Sequence, residues 1–154
     1  MLREYNIVIA DTSCFILLDK INELELLKKV FSTITTTPEI ASEFGKALPD
    51  WIRITEVKNS SQVESLQVQV DKGEASAIAL ALETNSSLII LDDYKARLLA
   101  EKLRLNYTGT LGIILKAKEV GIIEAIAPIM KKVQATNFRL SEKVLKEILG
   151  NESL

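Results

Sequence analysis

Histidine is absent from the 154 residues, and cysteine occurs once, at Cys14. Without imidazole there is no Ser-His-Asp or Cys-His pair, no His-ligated zinc and no histidine general base. With one thiol there is neither a disulfide within the chain nor a four-cysteine zinc site. Long apolar runs are missing too, since none approaches the ~18 residues of a membrane span. Three prolines and six glycines are scattered without forming a linker, and no internal repeat or low-complexity tract occurs. The first four residues lead straight into a strand pattern, with no apolar core of a secretory signal. The expectation is a cytoplasmic protein with no membrane association. Its chemistry is left to carboxylates, hydroxyls, lysine, arginine and tyrosine, with a hard metal ion as the natural complement.

At 47% hydrophobic residues, a chain of this length buries roughly two-thirds of the surface exposed when unfolded, which suits one domain over residues 1–154. The net charge of −2 alone argues against a polyanion partner, but the charge is unevenly spread. Residues 1–93 carry 8 basic against 15 acidic side chains, and residues 94–154 carry 11 against 6. One reading is ordinary solvated helix faces. The other is an acidic centre rimmed by Lys95, Arg97, Lys102, Arg104, Lys116 and Lys118, which suits a metal site that handles a polyanion.

Leu88-Ile89-Ile90-Leu91 is a short apolar run that drives into Asp92-Asp93 and then a helix-like pattern. Such a run predicts a strand buried on both faces, as in parallel sheets covered by helices. Tyr5 to Ala10 is a second β-rich run and ends in Asp11-Thr12-Ser13, all good helix caps. Between them the pattern predicts helices after Ser13, over Leu24 to Val30, after Thr37-Pro38, over Ser60 to Val70 and from Asp71. It predicts strands over Ser32 to Thr36 and Trp51 to Val57, with Trp51 anchoring the edge. Tyr94 to Leu103, Leu111 to Val120, Ile123 to Ala135 and Ser141 to Leu149 follow as helices, the last capped by Ser141 with a Leu140–Leu145 staple. Leu105 to Tyr107 is a fifth strand. Alternating strands and helices imply right-handed crossovers, hence a three-layer α/β/α sandwich on a mostly parallel sheet of about five strands.

Open sheets of this kind place ligands at the carboxyl ends of their strands, where the order switches. Strands one and four should be neighbours there, bringing Asp11 and Asp93 into one crevice. Each acid also has a plain structural reading. Asp11 caps a helix, although Thr12 and Ser13 would serve as well, and Glu43 is a solvated helix residue flanking the Ile40 and Phe44 stripe. Glu74 completes a capping box with Asp71, yet leans along the buried edge of its helix. One of Asp92 and Asp93 suffices as a cap, and Asp93 also has Arg97 at i+4, a pairing worth ~0.3–0.5 kcal/mol. Glu39 is explained by the helix dipole alone. Together, carboxylates converging at ~5 Å repel by about 3 kcal/mol per ionised pair at an effective dielectric near ~20. A dication offsets that, and an all-oxygen donor set selects Mg²⁺ or Mn²⁺.

Asp11-Thr12-Ser13, Glu43, Gly73-Glu74-Ala75, Leu91-Asp92-Asp93, Ala96-Arg97 and Gly109-Thr110-Leu111-Gly112 together resemble the PIN-domain nucleases. The likeness is greatest to the VapC-like group with GEA, DD-x-x-AR and GT-x-G segments, and it spans Asn6 to about Leu149. The resemblance implies a metal-dependent endoribonuclease, the toxin of a toxin–antitoxin pair, usually a homodimer held inactive by a small antitoxin. By position Asp11, Glu43, Glu74 and Asp93 match the family's catalytic acids, with Asp11, Glu74, Asp92 and Asp93 as metal ligands. Two departures stand out: Glu74 replaces a more common Asp, and Leu91 stands where Thr is frequent two residues before the fourth acid. Asp92 also competes with Asp93 for the fourth place. One or two Mg²⁺ or Mn²⁺ ions would activate a water against an RNA phosphodiester. Ser13 and Thr110 would hydrogen-bond a metal water or phosphate if they are not plain caps, and Lys95 and Arg97 would hold the substrate backbone if they are not a solvated face.

Two other functions fit the pattern less fully. A phosphotransfer module also places Asp at strand ends, but aspartyl phosphatases want a second Asp where Ser13 stands. A catalytically silent PIN-like module would bind RNA or protein instead, with the Val144, Leu145, Ile148 and Leu149 face of the last helix either docking a partner or packing on its own core.

Overall fold

The computed structural model describes residues 5–138 and 142–150. Its strands are β1 (Ile7–Ala10), β2 (Ile34–Thr36), β3 (Ile52–Ile54), β4 (Ser87–Ile90) and β5 (Asn106–Thr108). They form one sheet, all parallel, in the order β3-β2-β1-β4-β5. The order reverses between β1 and β4, which pair over four residues from Ile7–Ser87 to Ala10–Ile90. The expected neighbours are therefore neighbours, and the sheet has the α/β architecture read from the sequence.

All four residues of β4 are buried, as are the last three of β1. Side chains alternate between faces of a strand, so unbroken burial means that helices cover both faces. Those helices are α1 (Thr12–Lys20), α2 (Glu25–Phe31), α3 (Pro38–Phe44), α4 (Ser60–Leu66), α5 (Lys72–Leu82), α6 (Tyr94–Lys102), α7 (Thr110–Glu119), α8 (Ala127–Gln134) and α9 (Glu142–Leu149). Helix α5 carries Ala75, Ala77, Ala79 and Ala81 fully buried among larger residues, and it packs on β1, β4, α3 and α4. Small side chains let it approach the sheet closely. The core around it includes Ile9, Phe15, Leu18, Ile78, Ile89, Ile90 and Leu91.

Several boundaries differ from the expected ones, each for a local reason. Strand β2 starts at Ile34 because Ser32 takes a positive φ of 69° at the end of α2. Strand β3 is confined to three residues because its one neighbour, β2, is that short. Helix α4 ends at Leu66, with Val68 86% exposed in the turn that precedes α5. Helix α8 begins at Ala127, not Ile123: Pro128, which has no N–H to donate, sits in its first turn, and the Ile122 and Ile123 amides bond back to Ala117. Arg104 at φ 59° closes α6 and shifts β5 to Asn106. The expected Ser141 cap and Leu140 staple, and the Val144 and Ile148 side chains, lie outside the described residues. Leu149 is buried and Leu145 packs against the core, which favours the self-packing reading of that face.

A buried hydroxyl chain ties α3 to α5. Thr37 is the N-cap of α3 and accepts from the Ile40 amide at 3.2 Å. Ser76 Oγ donates to the Gly73 carbonyl at 2.7 Å. Its single proton is thus committed, so in the 2.7 Å contact between the two hydroxyls Thr37 is the donor. Replacing Thr37 by Val removes a cap and orphans Ser76 while keeping shape. Thr37→Val is expected to lower stability by about 2 kcal/mol in urea unfolding, whereas Thr37→Ser should lose much less.

Candidate active site

Asp11 follows β1 directly, and its amide continues the ladder to the Ile90 carbonyl at 3.2 Å. Thr36 Oγ1 reinforces the neighbouring strand end by donating to the Ala10 carbonyl at 2.9 Å. Asp11 stands at the N-cap position of α1 in extended conformation, yet its side chain makes no capping hydrogen bond. It is 3% exposed, and Oδ1 has no hydrogen-bond partner. Burial pushes its carboxyl up to about 8, with the charges of Glu74, Asp71 and Glu43 adding to the rise and the Thr12 backbone opposing it. The capping reading of Asp11 thus lacks its defining bond.

Glu74 does form the capping box. Its amide donates to Asp71 Oδ1 at 2.9 Å, and its Oε1 accepts from the Asp71 amide at 3.2 Å. It is buried nonetheless, and desolvation, then the charge of Asp71, pushes its carboxyl up to about 7, with Asp93 contributing. Both readings of Glu74 therefore hold at once: one oxygen caps α5 while the group lies in the field of the other acids.

Glu43 is exposed on α3 and accepts from Thr12 Oγ1 at 2.7 Å through Oε1. That carboxylate lies against the backbone of Gly73. A Cβ built at Gly73 would fall 1.9 Å from Glu43 Oε1, so only glycine leaves this position to the acid. The tilted contact of Phe15 with Phe44, ring centroids 5.9 Å apart, holds α1 and α3 together beneath the pair. Thr12 and Gly73 are thus positioning residues that the sequence did not single out. The DTS and GEA segments contained them, but the contact that defines their role crosses 31 residues.

Asp92 and Asp93 part company. Both oxygens of Asp92 are taken by Thr110: Oδ1 accepts its amide at 2.8 Å and Oδ2 its hydroxyl at 2.5 Å. Gly109, the N-cap of α7, has no side chain to offer, and Asp92 supplies the cap from the end of β4. Its charge bears on buried Cys14, whose thiol is pushed up chiefly by burial and then by Asp92. Asp93 caps α6 with Oδ2 on the Ala96 amide at 3.1 Å, and it is the acid that bears on Glu74. Asp92 and Thr110, expected as a metal ligand and as a ligand of phosphate or a metal water, thus bond to one another at the start of α7, and each Asp92 oxygen keeps a further acceptor site.

Arg97 does not form the i, i+4 ion pair with Asp93; its guanidinium lies 5.2 Å from the centroid of Tyr107. A stacking contact in a partly buried setting outweighs an exposed i, i+4 pair. Lys95 and Ser13 are exposed beside the site, and neither makes a hydrogen bond among the described residues.

The acids brought into one another's field are thus Asp11, Glu43, Glu74 and Asp93, with Asp71 beside them. Among the described residues no three of the His, Cys, Asp and Glu side chains stand close enough together to hold an ion. The donor chemistry nevertheless fits a hard dication: an all-oxygen set, two carboxyls whose ionised form burial disfavours until a positive charge is present, and one buried oxygen without a partner.

A family model described as a PIN domain matches residues 7–153. The chain belongs to the PIN-domain family, a nuclease fold. Neither the curated proteins nor the solved structures include a significant match.

Two outcomes follow from the geometry. Asp11 and Glu74 have folded pKa values above their unfolded ones, so the folded chain binds more protons than the unfolded chain between about pH 4 and 8. Their penalty is absent below that window and grows as pH rises through it. In chelator, stability should fall with rising pH by at most about 1.4 kcal/mol per unit for each group, and Asp11→Asn should remove about half of the slope below about pH 7 and most of it between about pH 7 and 8, as followed by urea unfolding. Separately, Asp92→Ala should cost about 2 kcal/mol by leaving Thr110 and the start of α7 unsatisfied. Asp93→Ala loses a single cap of about 1 kcal/mol, and comparison of the two melts checks the difference.

Proposed function

We propose that the chain is a Mg²⁺- or Mn²⁺-dependent endoribonuclease of the VapC-like kind, the toxin of a toxin–antitoxin pair. The observation that carries this reading is the buried Asp11 carboxylate, unpartnered at Oδ1 at the switch point of the sheet with Glu74 in its field. Asp11, Glu74 and Asp93 would hold the ion, with Glu43 fixed beside them by Thr12. A dication bound there would lower the pKa of a water and neutralise charge developing on the phosphate. Glu43, exposed and already accepting one hydrogen bond from Thr12, would take a proton from the attacking water. Asp93 and Glu74 orient through their capping bonds, so each presents one oxygen in a fixed direction. Exposed Lys95 binds the substrate backbone, while Ser13 remains available to a phosphate oxygen. The absence of histidine leaves proton transfer to carboxylates.

Homodimerisation, inhibition by a small antitoxin protein and a cytoplasmic location extend the same reading from the resemblance. No described helix is long and apolar enough to cross a membrane. A catalytically silent module is the second reading, favoured by the lack of any three ligating side chains already drawn together among the described residues. Calorimetry with Mn²⁺ separates the two, since a silent module binds the ion feebly.

The purified chain is expected to cleave single-stranded RNA in Mn²⁺ or Mg²⁺ and to stop in chelator. Asp11→Asn should lower the rate by about 100-fold or more, a loss of roughly 3 kcal/mol of transition-state stabilisation. Cleavage that survives both treatments would rule the proposal out.

A further inference from the structure

Between the start of α6 and β5 lies a cavity of about 210 Å³ lined by Asp92, Tyr94, Arg97, Leu98 and Tyr107, the first two of which flank Asp93 in the chain. We propose that it is a subsite for one unstacked nucleobase of a single-stranded RNA. This rests on the nuclease reading of the adjoining acids and adds the part of the substrate that they do not contact.

The lining carries the argument. Tyr94 follows Asp93 directly and is 73% exposed, and Leu98, one turn on, is 40% exposed. Large apolar surface of this kind beside a polar centre marks a binding face. Across from them the Arg97 guanidinium is held against Tyr107, so a flat cation is fixed in place before any ligand arrives. Aromatic rings and arginine planes are the surfaces on which bases stack, and stacking tolerates any base. Asp92 accepts one hydrogen bond on each oxygen from Thr110. A carboxylate has about four acceptor sites, so it retains capacity for the N–H edge of a base while disfavouring a phosphate in the same space. A base paired and stacked in a duplex cannot enter; one in a single strand can. Asp92 and Tyr94 line the cavity and flank Asp93 in the chain, so the base it takes would belong to a nucleotide near the phosphate under attack.

The test uses the full chain carrying Asp11→Asn, to hold cleavage off, in Mn²⁺ with a five-nucleotide RNA. A 2-aminopurine is moved through the five positions, and a matched set replaces each base by an abasic site. At one position the fluorescence should change on binding and removal of the base should weaken affinity about tenfold, within the range known for base–aromatic stacking. Tyr94→Ala should give the same loss on the intact RNA and none on the abasic one, and Tyr94→Trp should restore binding. Because Tyr94 is exposed, the melting temperature should not move. Affinities within about twofold for every abasic RNA and for Tyr94→Ala, or a Tyr94→Ala loss that is equal on abasic RNA, overturn the subsite. If the otherwise unaltered chain still cleaves RNA with metal while Tyr94→Ala leaves KM unchanged, the subsite falls and the nuclease reading stands. Absence of RNA binding in every arm, together with absence of metal-dependent cleavage by the unaltered chain, overturns both.

Discussion

One carboxyl group, placed where water cannot reach it and given nothing to bond with on one oxygen, constrains the rest of this molecule. Asp11 is fixed at the end of β1 by the ladder to Ile90 and is itself buried at the head of α1. A protein selected for stability alone would place an apolar residue or a capping serine here. The chain instead keeps an acid that burial and neighbouring charges push toward protonation, and it surrounds that acid with further carboxylates. Such an arrangement costs free energy in the empty protein and recovers it only when a positive charge arrives.

The neighbouring acids reach it through separate devices that share parts. Thr37, Ser76 and Gly73 form a buried chain from the start of α3 to the start of α5. That chain sets where the Gly73 backbone lies, and the same backbone, lacking a Cβ, receives the Glu43 carboxylate. Thr12 then fastens Glu43 from the first turn of α1. Three helices are therefore registered to one another by small polar contacts at the end of the sheet, while apolar packing holds them further down. Packing supplies most of the stability, and the polar contacts determine which carboxylate faces which.

What the sequence made legible was whatever a period or a strand end encodes. The run Leu88 to Leu91 announced a fully buried strand, and the alternation of strands and helices made the first and fourth strands neighbours, as β1 and β4 are. Asp92 and Asp93 could not be separated, because both follow the same strand and both are able to cap. Their difference is decided by Thr110, which approaches from β5 and takes both oxygens of the first. The contact of Arg97 with Tyr107 was out of reach for a related reason: the i, i+4 rule sees only its own helix, whereas Tyr107 lies on a neighbouring strand. Gly73 was noticed as part of a motif, but the steric need for glycine there depends on a side chain 30 residues earlier.

Divergence of the two adjacent aspartates has a consequence for how the site is built. Asp92, tied to α7, keeps the strand end and the α7 terminus at a fixed separation, so the floor beneath Tyr94 and Arg97 is rigid. Asp93, one residue on, gives one oxygen to α6, and its charge bears on Glu74. A single strand end thus anchors the acidic centre on one side and the aromatic cavity on the other, and the peptide unit between the two residues sets their spacing. Any ligand that engages both must place an anionic, metal-seeking group and a flat apolar group within about one residue's reach, ~3.5 Å of backbone plus the side chains. A nucleotide in a single strand, with its phosphate and base joined through one sugar, has that construction, and a free phosphate or an isolated cation does not.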